Sequence, residues 1–146
     1  MSQDGVDLET SLGYLLKEAS SALRTAMEEV LRPLGMSVTH YSCLELLAQR
    51  PGLSNSELAR GAFVTRQTMN VLLQGLEREG HVTRGEATVG KVLPVRLTAR
   101  GRRVLGKASA AVRGVEVRMT GGLSVEESAE ARRILRGMIG ALRSGA

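Results

Sequence analysis

Aromatic residues are nearly missing from this chain, which has no Trp, one Phe and two Tyr. Its core must then be built from Leu, Val, Met and Ala, a mixture that favours helices over a β-sandwich. A single cysteine, Cys43, excludes an intrachain disulfide framework and a cysteine-based zinc site. The two histidines, His40 and His81, have no motif-like acidic or cysteine partners. Neither metal-ligand spacing nor a glycine-rich phosphate loop is apparent, so no metal, no cofactor and no catalytic constellation is expected. Long apolar runs are absent too, and the polar, acidic start MSQDGVD is unlike a signal peptide. The expectation is a cytoplasmic protein with no membrane association.

What is present is basic and moderately apolar. The net charge is +5, the sequence pI about 10.1 and the hydrophobic fraction 42%. This balance suits an anionic partner, nucleic acid first and a membrane surface second. A length of 146 residues allows one domain, or one domain with an appended dimerisation element.

The stretch that organises the chain is Leu53 to Gly80, LSNSELARGAFVTRQTMNVLLQGLEREG. Ser54 with Glu57 makes a capping box for a short helix that buries Leu58 and Ala59. Gly61, Ala62 and Phe63 make the turn, where Phe63 is expected to anchor in the core. Thr65 can cap the next helix. There Met69, Leu72, Leu73 and Leu76 follow the i, i+3, i+4, i+7 rule and face inward. Arg66, Gln67, Asn70, Val71 and Gln74 then share the outer face. Gly80 is the stop. Two short helices with a tight turn and a polar face on the second are the helix-turn-helix pattern.

The flanks complete the plan. Before this unit, a long helical stripe runs from Leu8 to Leu31, stopped by Pro33 and Gly35. A second helix follows, with Thr39 as its expected N-cap, Tyr41, Leu44, Leu47 and Ala48 inward, and Pro51-Gly52 at its end. After Gly80 come two β-prone pieces, Val82 to Arg84 and Val92 to Leu97, the second an edge strand because of Pro94. Thr98 opens a fifth helix to about Thr120. Ser124 and Glu127 cap a sixth, whose apolar positions include Ala131, Ile134, Leu135, Met138, Ile139 and Leu142. The terminal helices carry apolar stripes with nothing in the chain to cover them. Interlocked ends of two chains solve that.

The order LSNSELAR, VTRQTMNVLLQGLEREG, the strand VTR at 82 to 84 and VRLTARG at 95 to 101 resembles the multiple-antibiotic-resistance regulator (MarR) family of bacterial winged-helix repressors. The likeness spans roughly positions 8 to 143. The tip of the wing, Thr88-Val89-Gly90-Lys91-Val92-Leu93, resembles a subset with Gly-Arg/Lys followed by two aliphatics. Many members carry a basic residue where this chain has Val71. The resemblance implies a mainly α fold with a small β-wing. Positions 37–98 would form the winged helix-turn-helix, and positions 8–34 and 99–143 the dimerisation helices. It implies a homodimer on a pseudo-palindromic duplex operator, acting as a repressor released by a small aromatic or phenolic ligand.

Residue types then sort the contacts. Arg66 suits a guanine edge or a phosphate, while Gln67 and Asn70 suit bidentate pairing with adenine. Val71 suits a thymine methyl, and Gln74 shares their face. Ser54, Ser56, Thr65 and Thr68 are short hydroxyls near helix starts and suit phosphates, although Ser54 and Thr65 are already complete as caps. Lys91 is the minor-groove candidate of the wing. Arg84 either touches the DNA backbone or holds the wing to the body. Resemblance places Tyr14, Leu16, Met36, His40 and Tyr41 near the effector cleft, with plain interface packing as the alternative. Cys43 sits between apolar neighbours, where thiols are inert; a redox-responsive regulator is the alternative. A winged helix that binds protein instead of DNA would show an apolar outer face on the fourth helix, which Arg66, Gln67, Asn70 and Gln74 oppose.

Overall fold

The computed structural model describes residues 5–85 and 94–144. The chain divides into two compact units, Met1–Val112 and Arg113–Ala146. Six α-helices, a short 3-10 turn at Arg32–Leu34 and a two-stranded sheet appear among the described residues. They are α1 (Leu12–Leu31), α2 (Val38–Gln49), α3 (Asn55–Gly61), α4 (Arg66–Arg78), β1 (Val82–Arg84), β2 (Val95–Leu97), α5 (Ala99–Thr120) and α6 (Val125–Arg143).

Two helix starts differ from expectation. α1 begins at Leu12, not Leu8, because Ser11 takes the N-cap position and accepts from the Tyr14 amide at 3.1 Å. α2 is capped by Ser37, not Thr39. The Ser37 hydroxyl accepts from the His40 amide at 3.0 Å, two residues before the expected start. Both corrections have one cause: a serine in extended backbone, after the expected start for α1 and before it for α2, satisfies an orphan amide and sets the helix start. The expected capping boxes of α3 and α6 are both present. The Ser54 hydroxyl and amide both bond to Glu57 and hold its carboxyl below the usual carboxylate range.

Three chain reversals in the first unit close in the same way. At Gly35 (φ 67°), Phe63 (φ 61°) and Gly80 (φ 78°) one residue adopts the left-handed conformation. Its amide bonds back three residues, and the next amide bonds back five. The pairs are Gly35 to Arg32 with Met36 to Leu31, Phe63 to Arg60 with Val64 to Ala59, and Gly80 to Glu77 with His81 to Leu76. This pattern satisfies the free carbonyls of a helix end and normally selects glycine at its left-handed position. Phe63 fills that position at the helix-turn-helix turn, and its side chain is 84% exposed. The expectation of a core anchor is therefore wrong. The backbone geometry, not the hydrophobicity of the residue, sets where the ring goes.

The core of this unit is aliphatic, as the composition requires. Leu31, Leu44, Leu58, Met69, Leu73 and Leu76 are fully buried, with Val82 and Val95 from the sheet. Tyr41, Ala48 and Leu72 pack against them half-buried. β1 and β2 pair antiparallel in the register Val82↔Leu97, Thr83↔Arg96, Arg84↔Val95. Alternation puts Val82, Val95 and Leu97 inward and Thr83 and Arg96 outward. The strand expected from Val92 begins at Val95; Val92 and Leu93 lie outside the described residues. The Val95 amide donates to the Leu53 carbonyl at 3.3 Å, which ties the sheet to the entrance of α3.

The start of α5 is latched to the end of α4. The Thr98 hydroxyl donates to the Gly80 carbonyl at 2.6 Å and accepts from the Gly101 amide at 3.0 Å. The Thr98 amide donates to the His81 carbonyl at 3.1 Å. A Cβ on Gly101 would lie 2.2 Å from the His81 carbonyl oxygen, so only glycine permits this approach. In the second unit, no residue of α6 is buried.

Candidate nucleic-acid interface

α4 is the centre of the site. Its inner face is buried through Met69, Leu73 and Leu76. Its outer face carries Arg66, Gln67, Val71 and Gln74, all exposed, with Val71 at 64%. Thr65 caps the helix by accepting from the Thr68 amide at 3.0 Å, and the two hydroxyls lie 3.0 Å apart. Both remain exposed at the amino end, where unpaired amides favour an anion. Asn70 differs from its neighbours in being half-buried. Ser56 is also half-buried. Ser54 is buried, and its hydroxyl serves as a cap, so it is not a free surface hydroxyl.

A polar cluster links α4 to the sheet. Arg84, at the end of β1, places its Nε 2.7 Å from the Glu77 carboxylate. The contact is ionic more than directional, because the Nε–H is not aimed along it. The guanidinium also donates to the Asn70 carbonyl oxygen at 3.4 Å, and the Asn55 amide approaches the same oxygen at 3.5 Å. These are long bonds. Arg84 therefore joins the base of the wing to the recognition helix. Lys91 lies outside the described residues.

The expected effector residues separate. Met36 and His40 line one open cavity of about 400 Å³, together with Leu34, Arg78, Glu79, His81, Arg100 and Val104. It lies between the start of α2, the end of α4 and the start of α5. Tyr41 instead lines a smaller hollow of about 220 Å³ with Glu45 and Gln49. Its hydroxyl donates to Glu45 at 2.7 Å, and Ser109 donates to the same carboxylate oxygen at 2.8 Å. Tyr14 and Leu16 are exposed on α1 and belong to neither set of walls.

Inside the larger cavity His40 meets Glu79 and His81, a neighbouring pair from far along the sequence. One ligand-capable atom each of His40, Glu79 and His81 lies within 4.8 Å of the others. The imidazole centroids are 5.8 Å apart. Burial holds His40 below the ordinary histidine range; Glu79 opposes that shift and His81 adds to it. A sequence reading that looks for local spacing misses this set. Its signals are the nearness of Glu79 to His81 and the place of both histidines at the ends of helices that pack together.

Cys43 is fully buried, and burial pushes its thiol up to about 12. It matches the inert thiol expected from its apolar neighbours.

A helix-turn-helix with a buried inner stripe, an exposed polar recognition face and a two-stranded wing base defines a winged-helix protein of the nucleic-acid-binding class. Among the described residues no helix is long and apolar enough to cross a membrane. Residues 34–91 match the model of the MarR family. The chain is 41% identical over 132 residues to the HTH-type transcriptional repressor Rv2887 of Mycobacterium tuberculosis, covering 90% of this chain and 95% of that protein. The crystal structure of Rv2887 with salicylic acid superposes with a TM-score of 0.74 at 40% identity, covering 94% of this chain and 99% of that one. Its complex with DNA gives 0.72 at 40% identity, covering 88% and 98%. The chain belongs to the MarR family.

Proposed function

We propose that this chain is a homodimeric, sequence-specific transcriptional repressor whose DNA binding is relieved by a small aromatic acid. It acts as a regulator and not as a catalyst, in the cytoplasm. The observation that carries the reading is the division of α4. Met69, Leu73 and Leu76 are buried on one side, and Arg66, Gln67, Val71 and Gln74 are exposed on the other. Arg66 and Gln67 meet base edges in the major groove, with Val71 against a thymine methyl. Thr65, Thr68 and Ser56 meet phosphates, and Lys91 serves the wing tip. Asn70 reaches DNA only with its amide nitrogen, because its oxygen accepts from Arg84 and Asn55. The exposed apolar residues of α1 and α6, among them Leu12, Leu15, Ile134 and Ile139, are covered by a second copy. Two recognition helices then stand roughly 34–36 Å apart, one turn of duplex.

The relative Rv2887 has been solved with DNA and with salicylic acid, which supports both halves of this reading. In this chain the 400 Å³ cavity has the size of small-ligand sites. Met36 and Val104 offer apolar wall, and Arg78 and Arg100 offer cations to a carboxylate. Arg78 is the last residue of α4. A ligand held there favours one position of the recognition helix over another, which is the differential affinity that release requires.

The test is a gel shift on DNA upstream of the chain's own gene at two salt concentrations. Arg66→Ala and Gln67→Ala should each weaken specific binding about 5- to 100-fold, from roughly 1–3 kcal/mol per base contact. Thermal stability should be unchanged, since both side chains are exposed. Normal operator binding by both variants would refute the assignment. Failure of every member of a panel of phenolic acids to release the complex would refute the effector.

A further inference from the structure

From the convergence of His40, Glu79 and His81 in the cavity we infer a binding site for a divalent transition-metal ion, Zn²⁺ by ligand type, with one coordination position left open. Two neutral imidazoles and one carboxylate are a common protein donor set for zinc, completed by an exogenous ligand. Among the described residues, the Nε2 of His40 and the Nδ1 of His81 are both buried with no hydrogen bond. The His81 side chain is only 8% exposed, so its unmet nitrogen is not served by bulk solvent. Glu79 brings a carboxylate oxygen to 3.4 Å from that nitrogen. In a tetrahedral site with bonds near 2.0–2.1 Å, ligand atoms stand about 3.4 Å from one another. The Glu79–His81 pair already has that separation. The whole set lies within 4.8 Å, so small side-chain rotations of His40 and Glu79 complete it. The ring planes are tilted by 39°, so the two imidazoles do not stack face to face.

The backbone makes this position stable. His40 is held by the Ser37 cap of α2, and the Glu79-Gly80-His81 turn by the return bonds to Leu76 and Glu77. The ion would therefore connect the start of α2 to the end of the recognition helix. Arg78 and Arg100 line the same cavity. Their charge opposes a bare cation and favours an anion, such as hydroxide, chloride or a carboxylate, at the fourth position. Metal binding itself does not depend on the DNA reading above, and its test uses no DNA.

The experiment uses the untagged full chain, stripped with a chelator and then titrated with Zn²⁺ against a chromophoric competitor. In parallel, Co²⁺ is added to read ligand geometry from its visible absorption. The expected result is one ion per chain and an intense four-coordinate cobalt spectrum. Glu79→Gln and His40→Gln should each weaken Zn²⁺ binding at least about 100-fold, since loss of outer-shell partners alone costs about 10- to 100-fold. Glu79 is exposed, so Glu79→Gln keeps the fold even if His40→Gln does not. Cys43→Ser should leave affinity unchanged. Binding below stoichiometry, an octahedral cobalt spectrum, or undiminished affinity in Glu79→Gln would overturn the inference. So would loss of binding in Cys43→Ser.

Discussion

Replacing Phe63 by glycine should stabilise this protein, the reverse of what removing the only phenylalanine of a chain usually does. The ring is 84% exposed, so little apolar burial is lost. The backbone at φ 61° is costly for a residue with a Cβ, by about 1–2 kcal/mol. Glycine removes that cost but adds freedom to the unfolded chain, about 0.5–1 kcal/mol. The net expectation is a gain of roughly 0.5–1 kcal/mol, or about 1–4 °C in Tm for a chain of this size. Phe63→Ala is the control. It keeps the strained backbone and should leave stability near wild type, so the difference between glycine and alanine isolates the backbone effect. Thermal and urea unfolding followed by circular dichroism, at a fixed protein concentration, measures both. If Phe63 were a core anchor, both variants would lose about 3–5 kcal/mol. That result would refute the geometry of the helix-turn-helix turn described here.

The other predictions concern the supports of the site. Gly101→Ala puts a methyl 2.2 Å from the His81 carbonyl oxygen and should cost at least about 2 kcal/mol by chemical denaturation. An unchanged midpoint would mean α5 does not approach the turn so closely. Arg84→Ala should lose about 0.2–1 kcal/mol of stability, because its contact with Glu77 is partly solvated. It should reduce specific DNA affinity through the wing without lowering the salt slope by a full phosphate contact. A slope lower by about one would show Arg84 on the DNA backbone instead. Cys43 should resist iodoacetamide in the folded protein and react on denaturation, since its thiol is buried and pushed up to about 12. Rapid native labelling would revive a redox role.

Periodicity made much of this legible. The stripe of Met69, Leu73 and Leu76 follows from hydrophobic spacing alone, and the exposed face of Arg66, Gln67, Val71 and Gln74 is its complement. Capping chemistry found Ser54 and Ser124 because each has a glutamate three residues on. It missed Ser11 and Ser37, which cap without that partner. Phe63 misled because hydrophobicity is a statement about transfer from water, whereas a left-handed residue is placed by its backbone. Asn70 shares the helical phase of Gln67, yet it is drawn under the helix by Arg84, a partner 14 residues away. The His40–Glu79–His81 cluster was invisible for the same reason. Tertiary packing of two helix ends makes it, and no local window contains it.

In the proposed dimer, paired recognition helices reach consecutive turns of one duplex. Hydroxyl-radical footprinting of the dimer on the DNA upstream of its gene tests this directly. Two protected patches on one face of the duplex, centred roughly 10–10.5 base pairs apart or a whole multiple of that, are predicted. A single patch, or no protection by folded and dimeric protein, would contradict it.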